Sequence, residues 1–107
     1  RVFYSAKSAF VHKPAAVISS SRRAGSVTSM DVLNKHLSIS EMPIVTSNYW
    51  NEVHGHTPSD VEQDREGLDT MCALGKNMAW MLKCIEAGKK AGIEVPQNKK
   101  RTTNFIR

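Results

Sequence analysis

The sequence predicts an α/β domain built on a parallel sheet. Two short apolar runs, "PAAVISSS" (14–21) and "MPIVTSNY" (42–49), lack the alternation of a half-exposed strand. Such runs suit strands buried on both faces, as parallel strands are. Between them Val27, Met30, Leu33 and Leu37 recur at helical spacing, and a long amphipathic pattern follows the second run. Strand, helix, strand, helix is the order of a doubly wound sheet.

Taken in order, "RVFY" at the start has the look of a helix end. Pro14 enters the first strand, and small hydroxyl residues lead out of it. Thr28 and Asp31 are spaced like a capping pair for the first full helix. Pro43 stands at the start of the second run, a place a strand tolerates. The loop "WNEVHGH" then leads to the last helix. Thr57 can cap it, Pro58 fits its first position, and Ser59, Asp60 and Glu62 put polar or acidic groups in the first turn. Val61, Leu68, Met71, Met78, Leu82 and Ile85 form one apolar stripe, with Trp80 expected at a helix–helix contact. Lys83, Lys89 and Lys90 gather at the end the dipole favours for cations, and Gly88 or Gly92 stops the helix. Its expected length is about 30 residues, against a mean of 11 or 12, with Gly67 and Gly75 as candidate bends.

Two strands and two helices leave a parallel sheet with unpaired edges and an uncovered face. Residues 1–92 are therefore expected to be the C-terminal part of one larger α/β domain. The missing strands would come from an N-terminal half, present as a separate chain if the protein is cleaved.

The totals narrow the function classes. A chain of 107 residues holds one domain. No apolar stretch approaches the roughly 20 residues of a membrane span, and "RVFYSAKSAF" has no leader pattern. Cys72 and Cys84 fall in one helix about 18 Å apart, too far to pair, and read as packing residues. Two free thiols suit a reducing compartment, so the expected location is cytoplasmic. The net charge of +5 is local: positions 89–107 hold six basic residues and one acid, leaving nine of each sign in positions 1–88. Residues 93–107 thus form a basic tail, read as a solvated or interface-seeking extension; a nucleic-acid partner is not favoured. His54 and His56 near Asp60 lack a third ligand at fixed spacing, so no metal is expected.

"KPAAVISSSRRAGS", then "LNKHLSISEMPIVTSNYWNEVHG", then "DREGLDTMCALGKNMAWMLKCIEAGKKAG" together resemble the C-terminal half of flavodoxin-fold NAD(P)H-dependent FMN reductases, the group that includes multimeric flavodoxins and iron–sulfur flavoproteins. The resemblance implies a flavodoxin-like doubly wound parallel sheet in the order 2-1-3-4-5, this chain contributing strands 4 and 5 and their helices. It implies FMN as cofactor, NAD(P)H as co-substrate, and assembly as a homodimer or homotetramer.

In open α/β sheets ligands lie outside the carboxyl ends of the strands, where strand order reverses. On that template the loop after strand 4 borders the cofactor. Ser20 and Ser21 would offer hydroxyls to flavin carbonyls, and Ala24 and Gly25 would let the backbone approach. Arg22 or Arg23 would stabilise the negative charge of reduced flavin. On the residues alone the two arginines read as a solvated turn. Asn48, Tyr49, Trp50 and His54 would border the same end of the sheet as substrate contacts, Trp50 alternatively packing in an interface. No nucleophile–base constellation appears, and hydride transfer to flavin needs none. Two rival readings are an electron-carrying flavodoxin-like protein without its own NAD(P)H reaction, and a non-enzymatic α/β module whose basic tail binds nucleic acid.

Overall fold

The computed structural model describes residues 1–106. A short helix, α1 (Val2–Ser5), and a 3-10 turn (Lys7–Ala9) precede strand β1 (Ser19–Ser21). Helix α2 (Ser26–Ile39) leads to strand β2 (Glu52–His54), and α3 (Pro58–Val61) and α4 (Arg65–Lys90) complete the chain's regular structure. The strands are parallel, with Ser19, Ser20 and Ser21 opposite Glu52, Val53 and His54. A further parallel bridge joins Ala15 to Ile44. The expected parallel pairing is thus present, in an arrangement compatible with the α/β class.

The second strand is not the continuous run its sequence suggests. From bridge to ladder the first strand advances from 15 to 19 and the second from 44 to 52. The surplus residues form an excursion around Asn48–Trp50. Polar side chains close it: the Ser47 hydroxyl bonds the Tyr49 carbonyl at 2.6 Å, and the Asn51 amide donates to the Val17 carbonyl at 3.1 Å. Pairing resumes at "EVH", which sequence reasoning placed in a loop.

Both strands are entered through left-handed residues, His12 (φ 62) and Glu41 (φ 58), with the His12 amide donating to the Glu41 carbonyl. Lys7 pairs with the Glu41 carboxylate at 2.7 Å, and Asn98 reaches its other oxygen at 3.3 Å. The tail is accordingly anchored at Asn98 and, through the Pro96 carbonyl, at His12.

Alternation along the strands puts the two long helices on opposite faces. Val17 packs with Met30 and Leu37 of α2, and Ala15, Ile44, Met42 and Phe3 join them. On the other face, Val53 touches α4 at Gly67; a Cβ there would press on Val53 and overlap the Asp64 carboxylate. That absence of a side chain lets α4 lie close on β2, where Thr70 and Leu74 are also buried. Ile18, on the same face, is 62% exposed.

The expected single helix after residue 57 is two helices. Thr57 and Asp60 form a reciprocal capping box that starts α3. Asp64 then caps α4 by accepting from the Gly67 amide at 3.0 Å. Once begun, α4 runs unbroken through Gly75. Helix α2 begins at Ser26 rather than at the Thr28–Asp31 pair, and its Ser29 hydroxyl bonds back to the Gly25 carbonyl. Trp80, expected at a helix contact, is 66% exposed, and both cysteines are exposed.

The whole is thin and open. Its radius of gyration is 17.2 Å, against about 13 Å for a compact domain of this size. Its accessible surface is 8822 Å², where a folded monomer of its mass exposes about 5,900 Å². Among the described residues no helix is long and apolar enough to cross a membrane.

Candidate functional site

Within a parallel ladder, alternate residues send their N–H and C=O to opposite edges. Ser19 and Ser21 bond toward β2: the Ser19 amide donates to Asn51, and the Ser21 carbonyl accepts from Gly55. Ala16, Ile18 and Ser20 therefore present their backbone groups to the other edge, where no strand pairs with them among the described residues. The outer edge of β2 is different. There the His54 amide donates to Asp64 Oδ2 at 2.7 Å, and the Glu52 amide turns back onto the Trp50 carbonyl. The Asp64 carboxyl is held below the usual carboxylate range, chiefly by the Gly67 amide and next by that of His54.

The loop Arg22–Gly25 leaves the carboxyl end of the bare-edged strand. Gly25 adopts φ 95, a left-handed conformation that side chains resist, and starts α2 without a side-chain cap. Nothing lies within 4 Å of the place its Cβ would take. Arg22, Arg23 and Ala24 are exposed, and neither guanidinium forms an ion pair among the described residues. An uncapped helix start beside two unpaired cations is an electropositive, donor-rich rim.

The serines of this loop part company. The Ser21 hydroxyl bonds Ser26 at 3.4 Å, and the buried Ser26 hydroxyl donates to the Glu52 carboxylate. This chain fixes the start of α2 against β2 and turns Ser21 inward. Ser20 points to the opposite, uncovered face and is exposed. Of the two hydroxyls, only that of Ser20 is free to meet a ligand.

Among the remaining candidates, His54 stands opposite Ser21 and so borders the same rim. Its ring lies 3.9 Å from Asp64. Asn48, Tyr49 and Trp50 occupy the mid-strand excursion, from which Tyr49 also lines a cavity of about 40 Å³ together with His54, Glu52, Asp64 and Thr70. Tyr49 and Trp50 are tilted rings 6.3 Å apart, 59% and 56% exposed. Both line a cavity of about 120 Å³ against α2, which also includes Asp31 and Asn34. No His, Cys, Asp and Glu cluster suited to a metal occurs among the described residues.

Sequence reasoning missed Ser26, Glu52 and Asp64. Asp64 was open to discovery, because an acid three residues before Gly67 has cap spacing. Glu52 carried no signal, since its role depends on the strand resuming after an excursion. No family model, curated protein or solved structure matches this chain.

Proposed function

We propose that this chain is the C-terminal part of a flavodoxin-fold, FMN-dependent NAD(P)H oxidoreductase of the flavin or quinone reductase type. The observation that carries the reading is the position of Arg22–Gly25. The loop ends the strand whose far edge is bare, so further strands added there make β1 an interior strand and put this loop on the crevice at the sheet's carboxyl end. Such crevices are where open α/β sheets hold ligands.

The residues present fit an anionic, planar, carbonyl-bearing group. Arg22 and Arg23 supply unpaired positive charge, the Gly25 backbone permits close approach, and Ser20 offers a free hydroxyl. FMN, when bound, supplies a centre that accepts hydride from a reduced nicotinamide and passes electrons onward. In this reading the arginines favour the reduced, negatively charged state, Gly25 and Ser20 orient the ring, and His54 borders the approach of the second substrate. The part-buried Ser21–Ser26–Glu52 chain positions the loop without touching the ligand. The N-terminal half of the same domain supplies the remaining walls, and the protein works as a homo-oligomer.

The reading is tested by titrating FMN into the intact protein and into Arg22→Ala and Arg23→Ala. Loss of a charge-assisted contact should weaken binding by roughly ten- to a hundredfold or lower the flavin's reduction potential. NADPH should bleach the wild-type flavin at catalytic rates. Unchanged affinity and potential in both variants contradict the assignment of the loop. Absence of bleaching leaves the electron-carrier alternative in its place.

A further inference from the structure

The cavity of about 120 Å³ between α2 and the strand excursion has a composition of its own. Its floor is apolar, with Met30 and Val45 buried. Tyr49 and Trp50 stand at its wall, their rings 6.3 Å apart. Both walls, α2 and residues 44–51, belong to this chain and to neither the loop Arg22–Gly25 nor the bare edge of β1.

The polar side chains of this cavity call for a donor. Asn34 Oδ1 is buried and has no hydrogen-bond partner among the described residues. Buried polar atoms are rarely left so, because the acceptor gives up water and gains nothing in return. Asp31 lies one turn earlier on the same face of α2. It forms no ion pair among the described residues, although Lys35 stands four positions on. Asn51 is already committed, its amide oxygen accepting from Ser47 at 2.7 Å and its nitrogen donating to the Val17 carbonyl. The Thr46 carbonyl is likewise taken, by Asn77.

An orphaned acceptor beside a free carboxylate asks for an N–H that carries positive charge. The rings supply the rest of the recognition, since the faces of Trp and Tyr attract a cation within about 6 Å. The apolar floor suits a short hydrocarbon. Volume sets its size: a cavity of about 150 Å³ takes benzene, so about four heavy atoms fit here. We infer that the cavity binds the ammonium end of a short alkyl chain, with Asn34 Oδ1 accepting an N–H, Asp31 neutralising the charge, and Tyr49 and Trp50 against its sides. Nothing in this site depends on flavin binding.

Calorimetric titration of the intact protein with n-propylammonium chloride is the test. A dissociation constant of about 1 mM or tighter is expected, within what so small a ligand can reach. Neutral n-propanol, tetramethylammonium, which has no N–H, and propionate should each bind at least about tenfold more weakly. Asp31→Asn and Trp50→Leu should each weaken amine binding about threefold or more, with circular dichroism unchanged. Asn34→Leu should abolish binding and leave Tm unchanged or higher, because hydrocarbon replaces an unpaired acceptor. A capped Gly-Lys-Gly peptide that binds more tightly than propylammonium assigns the group to a protein lysine, and weaker binding assigns it to a free amine. Equal binding of n-propanol or propionate overturns the inference, as does an affinity indifferent to both Asp31→Asn and Trp50→Leu. Failure of every amine to bind overturns it too, and leaves the orphaned oxygen to water. A lower Tm for Asn34→Leu has the same consequence, because Asn34 then already has a partner in the intact protein.

Discussion

The two edges of this small sheet have opposite chemistry. On the β2 side, the His54 amide is taken by the Asp64 carboxylate and the Glu52 amide by a local turn, so no further strand can add there without displacing a charged cap. On the β1 side, Ala16, Ile18 and Ser20 turn their backbone groups outward to nothing among the described residues, and past Pro14 at the entry no proline or charged side chain stands within residues 15–21 to guard them. Natural sheets blunt edges that are meant to stay edges. The comparison teaches that one side is built as an end and the other as a middle. The face of β1 opposite α2 repeats the lesson, because Ile18 lies open there. The proposed function uses the asymmetry: only completion along β1 puts the arginine loop beside a crevice.

Substitutions at the bare edge separate a finished from an unfinished sheet most sharply. In the intact protein Ile18→Asp should destabilise by about 3 kcal/mol or more, as a charge buried without a partner does. For a true surface residue the change stays within about 0.5 kcal/mol. Ser20→Pro removes an outward N–H and should likewise cost about 3 kcal/mol in an interior strand, while an edge strand tolerates it. Chemical denaturation measures both.

A smaller effect belongs to the loop itself. Gly25→Ala meets open space but must hold φ 95, and should cost roughly 1–2 kcal/mol. FMN should restore part of that loss if the loop contacts the ligand, by linkage.

The closed edge should give the smallest and most pH-dependent effect. The Asp64 carboxyl is held down by amide donors from Gly67 and then His54. Its contribution to stability is therefore complete above the ordinary aspartate pKa of about 3.9 and is lost as the pH falls through the lowered folded value. Asp64→Asn should lower stability at neutral pH and flatten its decline below about pH 4. An unchanged acid limb would show that this cap carries no weight at the edge.

Much of the organisation was legible in the residues. The first apolar run announced β1, whereas the second carries only the bridge at Ile44 and β2 lies beyond it; the period of Val27, Met30, Leu33 and Leu37 announced α2, of which Met30 and Leu37 are buried. Thr57 and Pro58 announced a helix start, but the helix they start is only the short α3. Local rules could not see that Asp64 begins a second helix because strand and helix share that carboxylate. They could not see the excursion at 48–50 either, since "TSNYWN" reads as the end of a strand until Asn51 is found bonded across to Val17. For the candidate site, the loop 20–25 was singled out only through the family resemblance, since its residues alone read as a solvated turn, and the left-handed conformation of Gly25 was not foreseen. Nor was the division of labour between Ser20 and Ser21, because it depends on which strand face each occupies. Trp80 was expected at a helix–helix contact, yet it is 66% exposed.

Amide hydrogen exchange on the intact protein tests the central claim most directly. If β1 is an interior strand, the amides of Ala16, Ile18 and Ser20 should be protected to the same degree as those of Ser19 and Ser21, which β2 already holds. Alternating behaviour, with Ser19 and Ser21 slow while Ala16, Ile18 and Ser20 exchange at the rate of free peptide, would contradict it.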